Sequence, residues 1–484
     1  MRLLTTALAA LAFSLPVAAQ ADVSASVPEM RKGFADWMLD QRAPGLVWGI
    51  VKDGRLVHVE GMGVQDLEQQ RPVTADSAFR IASMTKAFTA YAILQLRDEG
   101  KLRLDDLASA HVPEMKPWGH GITVANLMHH TAGYVTDDPW GDRQQVLSEA
   151  AFTTMLAAGV PFQSAPGTRY EYSNFGYATL GRIIGNVSSQ PYQSRIRDTL
   201  FLPLGMASTT FEVREVPRER LALGYRWENG RWLLEPEMPD GAFGAMGGIV
   251  TTANDYAKWV AHLLSGWPAD AGTSGKGAML RDMRAGGGFV HARTRPGRDA
   301  PDCRLQMIYA AGLVAGQDCL LGSVMFHSGG YPGYGSHMLL FPEAGIGIFA
   351  FSNRTYAAPL SPVWDAAGVL QRAGVLKARP VPLSPALGTA YAAAGRIWAT
   401  GRIDAVPGAI AMNMLMDRNA DTWANEIRQL KSETGQCDTT SPIVPDGALS
   451  GRFQWRCTTG RISGHLLLAP TATPQIQALR LSRP

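Results

Sequence analysis

Apolar residues in the first part of the chain follow two spacings, one typical of strands and one typical of helices. Two apolar stretches flank Asp53-Gly54, which predicts a hairpin of residues 45–52 and 55–61. Later apolar stretches predict strands over residues 320–327, 336–341 and 346–352. Apolar residues at helical spacing predict helices over residues 28–41, 83–96, 174–187 and 361–374. Strands therefore open and close this part of the chain, with helices between them.

This order of elements predicts an α/β fold. Strands at both ends suit a single sheet that both chain ends build and that helices cover. Residues 268–301 are rich in Gly, Ala and Arg and are predicted to form a loop or an insertion. We assign residues 22–377 to this first domain.

The chain changes character after a proline-rich stretch. Residues 378–385 contain three prolines and are predicted to be a linker. Beyond it, helical and strand-like patterns predict a small α+β accessory domain over residues 386–484. Its predicted helices cover residues 386–400 and 421–434, and its predicted strands cover residues 451–457, 462–468 and 476–481. The sequence indicates no role for this domain.

The first 21 residues have the pattern of a secretory signal peptide. Arg2 is followed by a largely apolar run over residues 3–17 and by the small-residue cleavage site Ala19-Gln20-Ala21. The run is too short to span about 30 Å of hydrocarbon, and no cysteine lies nearby to carry a lipid. We therefore expect a periplasmic or secreted protein that begins at Asp22 and has no stable membrane anchor.

The charge content bears on nucleic-acid binding, and the cysteine content bears on disulfides and metal binding. The 484 residues include 45 Lys and Arg against 42 Asp and Glu, without a basic block, so no nucleic-acid partner is predicted. The four cysteines suggest disulfides in an exported chain. Of the three possible connectivities we favour the local one, Cys303–Cys319 with Cys437–Cys457. Their spacing is too wide for a typical metal motif, so no metal site is predicted.

Ser83-Met84-Thr85-Lys86 is the first group of residues that could take part in catalysis. A separation of three places both polar side chains on one face of a helix. Burial lowers the pKa of a lysine, and a neutral amine can take the proton of a serine hydroxyl. The flanking residues are apolar, which favours burial. Ser83 is therefore predicted to be a nucleophile and Lys86 its base.

Tyr172-Ser173-Asn174 is the second group. A phenol beside a cationic lysine can be driven toward phenolate and can shuttle protons. The Asn174 side chain can bind a substrate amide or carbonyl. Taken alone, the same residues also fit a helix N-cap followed by a core tyrosine.

His327-Ser328-Gly329 is the third group, at the end of a predicted strand. Taken alone, His327 also fits a strand-end histidine whose hydrogen bonds are satisfied within the protein. Gly329 and Gly330 allow a substrate backbone to come close. The N–H of Gly330 can pair with that of Ser83 as an oxyanion hole. His327 is expected to titrate near its ordinary pKa of about 6.5, so its positive charge would attract a substrate carboxylate and fade as the pH rises.

Together, and in this order, the three groups resemble the class C β-lactamases and penicillin-binding-protein-like serine hydrolases. The resemblance covers about residues 28–375 and includes supporting stretches at residues 127–133, 166–168, 203–206 and 247–253. It implies a β-lactamase/transpeptidase-like fold, in which an antiparallel sheet from both chain ends is flanked by helices and joined by an all-helical part.

The resemblance also implies roles for the site residues. Ser83 would form an acyl-enzyme, and Lys86 and Tyr172 would share general-base work. Asn174 would hold the substrate amide. Where class C β-lactamases carry Lys-Thr-Gly, this chain has His327-Ser328-Gly329. A histidine there is similar to D-alanyl-D-alanine carboxypeptidases and D-aminopeptidase-like relatives.

The leading hypothesis is a serine hydrolase that cleaves an amide or ester in a small molecule or peptide, without a metal or cofactor. The alternative is a non-catalytic penicillin-binding-like protein that binds or senses peptidoglycan. An α/β-hydrolase is disfavoured because no serine in the chain lies in a G-x-S-x-G pattern. β-Lactams, D-amino-acid peptides and esters all stay open as substrates, and so does the oligomeric state.

Overall fold

The computed structural model describes residues 22–268, 271–272, 274–290, 293–294 and 304–483. The predicted signal peptide therefore lies outside the described residues. The chain divides into two compact units between Ala378 and Arg379, at the start of the predicted linker. None of the helices in the described part of the chain has the length and apolar character that a membrane span needs.

The first unit combines helices with a large sheet. Its helices are α1 (Val27–Gln41), α2 (Thr85–Asp98), α3 (Ala108–His111), α4 (Val124–Met128), α5 (Glu149–Ala158), α6 (Asn174–Ser188), α7 (Tyr192–Ile196), α8 (Gly244–Gly247), α9 (Ala253–Leu264), α10 (Gly275–Asp282) and α11 (Leu360–Arg372). Its strands are β1 (Gly45–Lys52), β2 (Arg55–Asp66), β3 (Arg71–Pro72), β4 (Ala78–Arg80), β5 (Tyr225–Glu228), β6 (Arg231–Leu234), β7 (Val250–Thr252), β8 (Gly288–Phe289), β9 (Arg293–Thr294), β10 (Arg304–Tyr309), β11 (Val314–Asp318), β12 (Gly322–Tyr331), β13 (Tyr334–Phe341) and β14 (Ile346–Ser352).

Both chain ends of this unit build one antiparallel sheet. The strand order is β3-β2-β1-β14-β13-β12-β11-β10-β8, and the N-terminal strands join the C-terminal ones where β1 pairs with β14. Alternate residues of β1 enter two different cores because successive side chains of a strand point to opposite faces. Trp48 packs in one core with Trp364 of α11, and Val47 packs in the other with Trp259 of α9. The predicted fold class is confirmed.

Helix α2 lies inside the unit and brings the predicted nucleophile to the sheet. Every residue from Thr85 to Leu94 is buried, and the helix contacts α6 and α8. A helix that is apolar on all sides is a core helix, as its sequence predicts.

Three parts of the sheet region differ from the prediction. Strand β12 continues through the predicted third site group to Tyr331, because backbone pairing with β13 sustains it where the residues are polar or glycine. Strands β10 and β11 were not predicted. Their local pattern is weak, and pairing with neighbouring strands stabilises them. Helix α10 lies within the stretch predicted as a loop or insertion.

The second unit is a small sheet covered by helices. Its helices are α12 (Pro385–Thr400), α13 (Asn413–Met416) and α14 (Ala420–Thr434), and its strands are β15 (Cys437–Asp438), β16 (Val444–Gly447), β17 (Ser450–Cys457), β18 (Gly460–Leu468) and β19 (Ile476–Ser482). The strand order is β15-β17-β18-β19, with β16 also paired to β17. Trp398 and Trp455 pack at the centre of its core.

A disulfide closes the edge of this small sheet. Cys437 of β15 is bonded to Cys457 at the end of β17, across a sequence separation of 20 residues. This half of the predicted pairing is confirmed. Cys319 is also disulfide-bonded, but its predicted partner Cys303 lies outside the described residues.

We expect the Cys437–Cys457 bond to stabilise the second unit measurably. Closing a loop of this size restricts the unfolded chain, which is worth about 3 kcal/mol in the chain-entropy model. The double variant Cys437→Ser/Cys457→Ser should unfold at lower urea concentration when tryptophan fluorescence is followed. Equal midpoints for the variant and the natural chain would contradict this expectation.

Candidate active site

Ser83 lies in a strained turn that leads into α2. The turn is a short 3₁₀ segment, Ala82–Met84, and Ala82 has a φ of +48°, in the left-handed region that non-glycine residues rarely adopt. The side chain of Ser83 lines an open cleft, while Lys86, one turn later, is fully buried. The start of α2 thus presents a hydroxyl to the cleft and a lysine beneath it.

Strand β12 packs directly against this turn, and Gly329 makes the contact possible. A Cβ at Gly329 would overlap the carbonyl oxygen of Ile81 and lie 3.0 Å from the Cβ of Ala82. Ser336 of the neighbouring strand donates from its Oγ to the same Ile81 carbonyl at 2.7 Å. The sheet therefore fixes the turn that carries Ser83.

Lys86 connects Ser83 of the first predicted group with Asn174 of the second through hydrogen bonds. Its Nζ lies 3.0 Å from Ser83 Oγ, 2.8 Å from Asn174 Oδ1 and 2.8 Å from the carbonyl oxygen of Met246. Burial lowers the pKa of Lys86 to about 8, although the carboxylates of Asp142 and Asp138 oppose this by favouring the ammonium form. A neutral amine is therefore accessible at mildly alkaline pH.

Tyr172 lies beside both Ser83 and Lys86. Its side chain is hydrogen bonded to Ser83, and Lys86 Nζ is 4.8 Å from the centre of its ring. Burial raises the pKa of Tyr172 well above 10, and the hydrogen bond to Ser83 only partly offsets this. The expectation that a cationic lysine drives this phenol toward phenolate is therefore wrong, because burial favours the neutral phenol.

The second group forms the start of α6. Ser173 is the N-cap, and its Oγ accepts from the N–H of Gly176 at 3.0 Å. The Asp137 carboxylate accepts from the N–H groups of Asn174 and Phe175 at 2.6 and 2.7 Å. These contacts hold Asn174 where its Oδ1 reaches Lys86. The role of Asp137 was not predicted.

His130 contacts two residues of the second group, Tyr172 and Ser173. Its Nδ1 accepts from the N–H of Ser173 at 3.1 Å. Its ring centre lies 4.3 Å from that of Tyr172 and 4.3 Å from that of Tyr309. His130 lies within residues 127–133, one of the stretches that support the family resemblance. That stretch is the only indication of His130 in the sequence analysis.

His327 is neutral rather than a titrating cation. It is 5% exposed, its Nδ1 lies 2.5 Å from the carbonyl oxygen of Ser328, and its Nε2 lies 2.9 Å from the Tyr309 hydroxyl. A carbonyl only accepts, so Nδ1–H donates to it and Nε2 accepts from Tyr309. Burial and the nearby Lys86 charge lower the pKa of His327 to about 3. The expectation that His327 attracts carboxylates by its charge is therefore wrong.

The cleft above Ser83 has a volume of about 420 Å³. It is lined by Ser83, Asp138, Pro139, Tyr170, Tyr172, Tyr309, Val314, Phe326, His327, Ser328, Gly330 and Tyr356. Five of the predicted residues thus share its wall. Lys86 and Asn174 connect to it by hydrogen bonds, and Gly329 by its contact with the Ser83 turn. Tyr309 and Val314 were missed because the strands that carry them were not predicted.

A larger cavity, of about 570 Å³, opens elsewhere in the first unit and includes Arg197, Arg220 and Asp240. None of the predicted site residues lines it, so we place the candidate active site at the smaller cleft. Among the described residues no cluster of His, Cys, Asp or Glu could hold a metal ion.

Comparison with known proteins shows the family of this chain. Residues 23–372 match the model of the Beta-lactamase family. The chain belongs to the Beta-lactamase family. The match spans all three groups of site residues, so the family resemblance predicted from the motifs is confirmed.

Relatives of this Beta-lactamase family chain include Protein flp of Staphylococcus aureus (strain MW2), 30% identical over 323 residues. That alignment covers 64% of this chain and 59% of Protein flp. PbpX of Bacillus subtilis (strain 168), a candidate penicillin-binding protein by name, is 32% identical over 222 residues, 45% of this chain and 54% of PbpX. The chain thus spans under two thirds of the length of these relatives.

A solved structure shares the fold of this family member. The octameric penicillin-binding protein homologue from Pyrococcus abyssi has a TM-score of 0.60 and 21% sequence identity. The match covers 94% of this chain and 99% of the other. At this identity the likeness concerns the fold.

Proposed function

We propose that the protein is an exported serine hydrolase that cleaves an amide or ester through an acyl-enzyme on Ser83. The observation that carries this proposal is the direct contact of a buried lysine with the serine, 3.0 Å from Lys86 Nζ to Ser83 Oγ. The predicted signal peptide and the Cys437–Cys457 disulfide support export.

Lys86 is the general base in the first step. In its neutral form the amine takes the proton of Ser83 as Oγ attacks the substrate carbonyl. The N–H groups of Ser83 and Gly330 stabilise the oxyanion that forms. Asn174 holds Lys86 through its Oδ1 at 2.8 Å, and its buried amide nitrogen has no hydrogen-bond partner among the described residues.

Tyr172 is the general acid of the same step. Its high pKa keeps the phenol protonated, so it can donate to the leaving amine or alcohol when the tetrahedral intermediate collapses. The lysine ammonium then returns a proton to the phenolate, which leaves Lys86 neutral again. Water attacks the acyl-enzyme in the second step, and the same groups move protons in the reverse sense.

The pH dependence of acylation should report the pKa of Lys86. With an uncharged ester, kcat/KM should rise with pH to a plateau, with an inflection near pH 8, because only the neutral amine accepts a proton. The variant Asp142→Asn should move the inflection to lower pH, since the Asp142 carboxylate stabilises the ammonium. An inflection at the ordinary pKa of a lysine, about 10.4, would contradict the assignment of Lys86 as base.

A labelling experiment separates the hydrolase from the alternative, a non-catalytic peptidoglycan-binding protein. The mature protein should react with a fluorophosphonate, and peptide mass spectrometry should locate the adduct on Ser83. Hydrolysis of p-nitrophenyl esters, a chromogenic cephalosporin and D-Ala-D-Ala peptides should then be compared side by side. Absence of both labelling and hydrolysis, with peptidoglycan binding retained, would favour the alternative.

A further inference from the structure

The cleft at Ser83 has an acidic wall. Among its described lining residues, Asp138 is a carboxylate, and none is an arginine or a lysine. A second carboxyl group, that of Asp142, lies behind the lining, and burial raises its pKa to about 7, so it adds only part of a negative charge at neutral pH. Asp142 is 1% exposed and accepts from the hydroxyl of Tyr356 at 3.2 Å. A negatively charged group on a substrate would therefore meet charge of the same sign.

Two basic groups at the cleft, Lys86 and His327, are already engaged within the protein. The three donors of the Lys86 ammonium all have acceptors, at Ser83, Asn174 and Met246. Both ring nitrogens of His327 are hydrogen bonded, to Ser328 and Tyr309. Neither group is therefore placed to form an ion pair with a substrate carboxylate.

The remaining wall of the cleft is largely aromatic. The tyrosine and phenylalanine side chains that line it are Tyr170, Tyr172, Tyr309, Phe326 and Tyr356. The face of an aromatic ring attracts a cation, and it also packs against apolar groups. Aromatic walls with a carboxylate among them suit an amine that carries an apolar stem.

Resting on the proposed function, we infer that the substrate is an ester or amide that carries a protonated amine, and that Asp138 is the residue that selects for this charge. The amine lies against Asp138 and the aromatic rings while Ser83 attacks the carbonyl. Substrates with a carboxylate at the same place are disfavoured. The charge preference is thus opposite to the one expected from a cationic His327.

Three p-nitrophenyl esters of equal chain length test this inference. They are the ester of hexanoic acid, the same ester with a terminal amine, and the same ester with a terminal carboxylate. At neutral pH and low salt we expect kcat/KM to fall from the amine to the uncharged ester to the carboxylate, by about tenfold between the two charged esters. Added salt should reduce this ratio because it screens exposed charges.

One variant and one control test whether Asp138 causes the charge preference. Asp138→Asn should reduce the amine-to-carboxylate ratio of kcat/KM toward one. Asp105→Asn, at an exposed carboxylate that does not line the cleft, should leave the ratio unchanged. Equal rates for the three esters, or an unchanged ratio in Asp138→Asn, would overturn the inference while the proposed hydrolase stands. Failure of the fluorophosphonate to label Ser83 would instead overturn the proposed function itself.

Discussion

Ser83→Ala is expected to abolish turnover and to leave the fold intact. The substitution removes one hydroxyl from a turn that the backbone of β12 and the hydroxyl of Ser336 hold in place. Loss of a catalytic nucleophile costs about 10⁴-fold or more in kcat, because the residual activity comes only from binding and oxyanion stabilisation. Hydrolysis of an uncharged ester and the urea unfolding midpoint should be measured on the same preparation.

Ser188→Ala is a matched control for that change. Ser188 is at the end of α6, where its Oγ donates to the Ile184 carbonyl oxygen, away from the cleft. Its loss should not affect kcat. Substantial activity in Ser83→Ala would refute the assignment of the nucleophile, whatever the behaviour of the control.

Lys86→Ala and Tyr172→Phe should each slow acylation severely, and the double variant should lose little more than the worse single variant. Both side chains contact Ser83, and in the proposed mechanism the proton that leaves the serine passes to Lys86 and from there to Tyr172. Groups that act as one proton-transfer unit show strongly non-additive losses. Single-turnover kinetics with an ester that releases p-nitrophenol measures the acylation step directly.

Two control variants separate chemistry from packing. Tyr177→Phe removes another buried hydroxyl of the same region, one that donates to the carbonyl oxygen of Met128 at 2.8 Å. Lys258→Ala removes a lysine from the surface of α9. Both should retain acylation. Additive losses in Lys86→Ala/Tyr172→Phe would mean that the two groups act in separate steps.

The sequence predicts the order of elements well because the first unit depends on long apolar segments. Strand β1 and helix α2 are buried over nearly their whole length, so their local pattern already reflects their place in the core. Strands β10 and β11 have no such pattern, and pairing between distant segments stabilises them. Tyr309, which those strands bring to His327, could not be placed from the sequence for this reason.

The site residues were predicted by type and spacing, but their charge states depend on burial. The apolar residues Val324-Met325-Phe326 before His327 are compatible with burial, but they do not fix its extent, and its ordinary pKa suggested a cation. The same holds for Tyr172, whose protonated state follows from desolvation that only the packed structure defines. Asp138 and Asp142 lie in a segment without a recognisable motif, so the acidic wall of the cleft emerged only from the structure.

The pairing of β1 with β14 has a consequence for the order in which the molecule assembles. Residue Leu46 pairs with Ser352, so the middle of the sheet cannot close until about three quarters of the chain has been synthesised. Strand β12, which supports the Ser83 turn, is synthesised almost as late. The serine therefore gains its supporting surroundings near the end of folding. A partly made chain would display an open strand edge but no working cleft.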